Sequence, residues 1–143
     1  EANEVMRCPN CGRNVAASWF TVKGEQGQAF VAFSTDAGKT YGAPIRVDDG
    51  GSLGRVDVGL IPDGSAAIAT WIEFADQRSQ FRARRIDRSG SRSAPVTIAG
   101  LASGRASGYP RMAITDRELV FAWTESGAGG AMQVKTATAT LPQ

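Results

Sequence analysis

Two thiols stand in the run Cys8-Pro9-Asn10-Cys11-Gly12, a spacing that in zinc knuckles turns two thiolates toward one metal. A closed tetrahedral site needs four ligands, and this chain of 143 residues has no third cysteine and no histidine. The lack of histidine also removes Ser-His and Cys-His catalysis. A redox-active or structural thiol pair and a metal site shared with a partner both remain open. The favoured reading is a turn, because Pro9 precedes Trp19 by nearly the distance at which Pro62, in Pro62-Asp63-Gly64, precedes Trp71. We therefore expect no metal and no cofactor. A second stretch, Ser34-Thr35-Asp36-Ala37-Gly38-Lys39-Thr40-Tyr41, combines a carboxylate with turn residues. An Asp in a tight strand-to-strand turn can accept hydrogen bonds from N–H groups two or three residues on, Gly38 suits a positive φ, and Tyr41 can fold its ring over the hairpin. That chemistry staples a turn and leaves no group for catalysis.

The elements that would position these residues repeat along the chain. Trp19, Trp71 and Trp123 are evenly spaced within similar runs, Ala16-Ala17-Ser18-Trp19-Phe20, Ile68-Ala69-Thr70-Trp71-Ile72 and Val120-Phe121-Ala122-Trp123-Thr124. Phe30, Asp36 and Ala43-Pro44 match Phe81, Asp87 and Ala94-Pro95 at one common offset. Such a period, about fifty residues, is the size of a four-stranded propeller blade. Turn signals divide the first repeat (residues 1–48) into strands Asn14 to Thr21, Gln28 to Ser34 and Pro44 to Val47. The second (49–99) reads as Val56 to Leu60, Ala66 to Glu73, Gln80 to Ile86 and Pro95 to Ile98. The third (100–143) reads as Arg111 to Thr115, Leu119 to Glu125 and Met132 to Thr138. The Trp-bearing runs are expected in the core, and the Arg82/Arg84 pair on an exposed outer strand.

Composition narrows the classes. A hydrophobic fraction of 42% with 17 glycines fits a turn-rich globular chain better than a disordered one. A net charge of +2 with scattered signs argues against nucleic acid as partner, and no apolar run approaches a membrane span, so a soluble protein is expected. The chain opens on Glu1 with neither Met nor a signal-like segment, which is compatible with processing, trimming or origin in a longer product.

The stretch Ser34 to Tyr41 fits S-x-D-x-G-x-x-[WY] at every fixed position and resembles the Asp-box of BNR-repeat, sialidase-like β-propellers. The turn Asp87 to Arg92 keeps the Asp, has Arg85 where Ser34 stood and lacks the aromatic, and the third repeat has no box. The resemblance implies an all-β propeller of about three antiparallel blades in one domain, and a periplasmic or secreted bacterial protein. Sialidases of this kind hold a substrate carboxylate with three arginines and use a Tyr–Glu nucleophile and an Asp acid; no motif matches those residues here. In a propeller one face is formed by the connections that on this chain run over Asp48 to Arg55, Gly100 to Pro110, Thr21 to Gln28, Glu73 to Ser79 and Glu125 to Gly130. Arg55, Glu73, Arg105, Tyr109, Arg111 and Glu125 lie in or beside them and are the ligand-binding candidates. The favoured function is binding of a glycan or other small polar ligand at that face. The alternatives are a glycoside hydrolase completed by a further segment or a partner chain, and a protein-interaction scaffold. Three blades fall short of the four to eight of known rings. A homodimer closing a six-bladed ring is therefore expected, ahead of a longer single-chain propeller, with the partner's Glu1 to Arg7 as fourth strand of the last blade.

Overall fold

A strand that is apolar on both alternations has no side to offer to water, so it must lie between two layers. Ala66 to Ile72 is such a run. In the computed structural model, which describes the main chain of residues 2–7 and all of residues 12–102 and 108–141, every residue from Ala66 to Glu73 is buried. The run belongs to a four-stranded antiparallel sheet of β5 (Ser52–Leu60), β6 (Ala66–Ala75), β7 (Arg78–Asp87) and β8 (Val96–Leu101), in that order. Before it in the chain comes a sheet of β1 (Ala2–Arg7), β2 (Val15–Lys23), β3 (Gln26–Ser34) and β4 (Ile45–Arg46). After it come β9 (Arg111–Ile114), β10 (Glu118–Ser126) and β11 (Met132–Thr140), three strands with β10 in the middle.

The pairings confirm an all-β chain built of three antiparallel sheets in sequence order, with several boundaries moved. β5 begins at Ser52, ahead of the expected Val56, because Ser52 and Gly54 already pair with Glu73 and Ile72 across bulges. The expectation that Glu1 to Arg7 serves a partner's last blade is corrected: Ala2–Arg7 pairs antiparallel with β2 of its own chain and completes the first sheet. Cys8 and Cys11 lie outside the described residues. No helix among the described residues is long and apolar enough to cross a membrane.

Two cores stack the sheets. In one, Ala67, Ala69 and Trp71 of β6 meet Ala16, Ala29, Val31 and Phe33 of the first sheet. In the other, Ala66, Ile68 and Ile72 of the same strand meet Leu119, Phe121 and Trp123 of the third. The period-two alternation of β6 thus sends its two faces to two different neighbours. Phe81 on β7 joins the second core, edge-on to Phe121 with ring centroids 6.1 Å apart and tilted against Trp123 at 6.2 Å. Among the described residues the first and third sheets share no core cluster, and the three sheets do not close on one another.

Buried arginine is the largest departure from the sequence reading. Arg84 is 5% exposed, and Arg82 pairs with the buried Glu73 at 2.9 Å. Arg84 donates to the Val47 carbonyl at 3.0 Å and to both Asp49 oxygens at 3.0 and 2.6 Å, with its guanidinium 5.5 Å from the Trp71 ring. The two terminal nitrogens are matched in this way while Nε is buried without a partner, so the charge is held chiefly by Asp49. β7 is paired by β8 and covered by the neighbouring sheet, so where an outer strand was expected Arg84 ties the second sheet to the connection that follows β4, and Arg82 pairs within its own sheet.

Candidate functional site

The connection from β4 to β5 is held by two aspartates. Asp48, fully buried, accepts the Ala29 N–H at 2.7 Å, the Gly50 N–H at 3.0 Å and both Nε and Nη2 of Arg46 at 3.0 and 2.8 Å. Burial pushes its carboxyl up, but the Arg46 fork and the Ala29 amide outweigh that, and its pKa lies below the ordinary value. Asp49 is likewise lowered, first by the Arg84 guanidinium, and also takes a hydrogen bond from Arg92 at 3.2 Å. These anchors fix the path that ends in the bulge at Gly54-Arg55.

At the bulge both residues have positive φ, 83° at Gly54 and 54° at Arg55. Gly54 is required on two counts, since a Cβ there would also lie 3.1 Å from the Phe20 ring. For arginine the left-handed region is uncommon and costs backbone energy. What this conformation achieves is direction. The Arg55 guanidinium donates to the Gly108 carbonyl and stacks 5.1 Å above the Tyr109 ring. Further along both segments, Asp57 accepts the Met112 N–H at 3.0 Å, and Arg111 Nε lies 3.6 Å from the same carboxylate oxygen. Residues 55–57 and 108–112 therefore run side by side, with the buried Asp57 carboxylate beside Arg111. Asp57 is 2% exposed, whereas the Arg111 side chain is 58% exposed and Tyr109 is 76% exposed.

Of the six candidates, Arg55 and Tyr109 come together, Arg111 lies two residues on against Asp57, and Arg105 lies outside the described residues. The two glutamates are used elsewhere. Glu73 accepts the Trp71 indole N–H at 2.7 Å and Nη1 of Arg82 at 2.9 Å, and Glu125 accepts the Trp123 indole N–H at 2.7 Å. Trp-x-Glu places both side chains on one strand face, so the spacing itself was a signal of pairing. Asp57 was missed. Alternation with Val56 and Val58 alone would turn it outward, yet a lone carboxylate in so apolar a strand must be met by donors if a third sheet covers it.

The Ser34–Tyr41 turn is closed by its Asp, but through partners other than the expected amides two or three residues on: the amide Asp36 accepts is four residues on, and the Gly38 N–H goes to Ser34. Asp36 accepts the Ser34 hydroxyl at 2.7 Å, the Thr40 N–H at 2.9 Å and the Thr40 hydroxyl at 2.7 Å, while Ser34 Oγ accepts the Gly38 N–H at 2.9 Å. Gly38 has φ 86°, and a Cβ on it would come within 3.2 Å of the Tyr41 hydroxyl. Thr40 and then Ser34 hold the Asp36 carboxyl down at about 2. In the corresponding turn Arg85 Nε donates to Asp87 at 2.9 Å, so an ion pair stands where the Ser–Asp hydrogen bond does.

One groove of about 550 Å³ opens between the second and third sheets, lined chiefly by Ile68, Ala83, Val96, Leu119, Phe121 and Ala137. Register explains it. Ala137 and Ala139 oppose Phe121 and Leu119, the places that Arg84 and Ile86 take opposite Ala69 and Ala67 in β7. Two long side chains are replaced by methyl groups, and the space they would fill stays open. With hardly a polar group converging on it, the groove suits a sugar poorly. Among the described residues no cluster of three or more His, Cys, Asp or Glu side chains could hold a metal. No family model matches this chain, and no curated protein matches it in sequence.

Proposed function

We propose that the three sheets are blades of a propeller of the Asp-box, sialidase-like kind, and that the chain binds an acidic glycan or similar carboxylate-bearing ligand at Arg55, Tyr109 and Arg111. The observation that carries this reading is Arg55. A residue with φ 54° gives up backbone stability to hold a guanidinium over an exposed aromatic ring, with a second, half-exposed arginine two residues beyond that ring in the chain. Guanidinium forks recognise planar carboxylates bidentately, and a tyrosine face offers a sugar ring an apolar platform. β5 and β9 are edge strands of their sheets and approach each other here, which is where a propeller's innermost strands line its channel. Glu73 and Glu125 favour binding over hydrolysis, because each already accepts an indole N–H.

Calorimetric titration with N-acetylneuraminic acid and glucuronic acid, against neutral glucose, tests the proposal. Both acids are expected to bind and glucose to bind at least about tenfold more weakly, a difference of about 1.4 kcal/mol. Arg55→Gly keeps a residue that tolerates the left-handed region and removes the guanidinium, so it should leave the fold intact and weaken the acids about tenfold or more. Arg111→Ala should do the same. Equal affinity for acid and neutral sugars, or full affinity in Arg55→Gly, would sink the reading.

A further inference from the structure

Of the outermost strands in the three sheets, β8 is the least defended against a new neighbour. It ends the order β5-β6-β7-β8, so alternate N–H and C=O groups along it point away from the sheet. Among the described residues no backbone hydrogen bond from outside the sheet reaches Val96 to Leu101. Natural edges are blunted by brevity, charge or proline. β4 is two residues long and carries Arg46, and β11 carries Lys135. β8, by contrast, has six residues and no charge, and Val96 is 64% exposed. Its pairing contains a bulge opposite Phe81 and Arg82, and Pro95 stands before the strand rather than in it.

Two features beside this edge define what would pair with it. Val96 and Ile98 form part of the wall of the 550 Å³ groove, which Ala137 and Ala139 of β11 also line. Residues directly opposite in neighbouring strands share a face, so a strand added to β8 would set every second side chain at the groove. Aliphatic side chains there would occupy space that the alanine methyls leave open. At the Leu101 end, Arg78 lies alongside Gly100: a Cβ on Gly100 would be 3.8 Å from Arg78 Cδ and 3.9 Å from its Nη1. Along β7 Arg82 pairs with Glu73, Arg84 with Asp49 and Arg85 with Asp87. Arg78 is exposed and among the described residues makes no ion pair. Asp76, in the same hairpin turn, accepts the Gln80 amide at 3.3 Å.

We propose that the β8 edge takes an extended peptide of another protein as an added antiparallel strand, with aliphatic residues at alternate positions over the groove and an acidic residue at its N-terminal end against Arg78. Open main-chain groups supply affinity in such strand addition, and pockets for alternate side chains supply selectivity. The antiparallel direction continues the pattern of the sheet and brings the first residue of the peptide to the Leu101 end. The middle sheet already has a neighbour on each face, so further repeats of this polypeptide would stack beyond the first and third sheets. A fourth strand of the third sheet would pair with β11. Neither lies at the outer edge of β8. A second copy paired edge to edge would bring Arg78 toward the Val96 end, where Asp87 is already held by Arg85. The leftover guanidinium therefore selects a partner that carries its own carboxylate. The inference uses none of Arg55, Tyr109 and Arg111 and does not rest on the sugar site.

Fluorescence polarisation with a labelled peptide, Glu-Val-Thr-Val-Thr-Val capped at both ends, tests it. Saturable binding with a dissociation constant below about 1 mM is expected. The same peptide with proline for both threonines cannot complete the ladder and should bind at least about tenfold more weakly. A peptide with Lys for Glu should also bind more weakly to the wild-type chain, and Arg78→Glu should reverse that preference. Val96→Glu changes a side chain that is already exposed, so circular dichroism should be unchanged while the Glu peptide binds about tenfold or more weakly. Amide exchange supplies the location: the peptide should slow alternate amides of β8 and leave those of β11 as they were. The proposal is overturned by absent binding, by equal binding of the proline peptide, or by a charge preference that Arg78→Glu does not reverse. Protection of β11 in place of β8 would sink it as well, and so would a dimeric wild-type chain whose β8 amides are protected before any peptide is added, which would assign the edge to a second copy.

Discussion

Asp36 accepts hydrogen bonds from two side chains and one amide, and each is lost or weakened when the carboxyl takes a proton. Its folded pKa of about 2 lies below the ordinary 3.8, so the charged form is favoured by folding. A depressed carboxyl contributes stability that is fully present above the unfolded value and is lost as pH falls toward the folded one. Asp36→Asn should therefore lower the thermal midpoint at neutral pH, and the gap to wild type should close between about pH 4 and pH 2. A gap that stayed constant over that range would show that the charge does not matter. The other lowered aspartates, Asp48, Asp49 and Asp63, act in the same direction and cancel in this comparison. Ser34, Asp36, Gly38 and Tyr41 were legible from spacing alone. Thr40 was not, because it occupies an unrestricted place in the pattern and works through a hydroxyl that many residues could not supply.

At the scale of strands, alternation told which residues are apolar but not how many layers cover them. Asp57 and Arg84 look like outward alternates on paper, and become buried only because each face of the middle sheet has a neighbour. Arg84 depends on Asp49 for its charge partner, so Asp49→Ala should strand a guanidinium whose side chain is 3% exposed. Breaking a fully buried pair costs roughly 3–5 kcal/mol. The Asp49 side chain is 44% exposed and Arg84 keeps the Val47 carbonyl, so about 1–2 kcal/mol is expected. Chemical denaturation should show a lower midpoint with an unchanged slope. The bulge at Gly54-Arg55 could not be foreseen, since nothing in the one-dimensional pattern marks an arginine with positive φ. Only the proximity of Gly51 and Gly54 hinted that the strand would not start cleanly.

For the molecule as a whole, the tryptophan repeat was enough to count sheets and order them. It could not place Ala2–Arg7, whose pairing with β2 is decided by backbone register and not by any side-chain motif. Nor could it reveal the groove, because two alanines on β11 look unremarkable until their counterparts on β7 are seen to be Arg84 and Ile86. That substitution has a dynamic consequence. Among the described residues β11 pairs only with β10 and lies over an unfilled space, whereas β6 is paired on both sides and buried on both faces. Opening free energies within one domain range from near zero to the global value, following local contact density. In deuterium exchange the β6 amides should exchange only with global unfolding, and the β11 amides should exchange orders of magnitude sooner. Equal protection of the two strands would contradict this. β11 would then be the hinged leaf of the stack, able to lift while β9 and β10 stay seated on the second sheet.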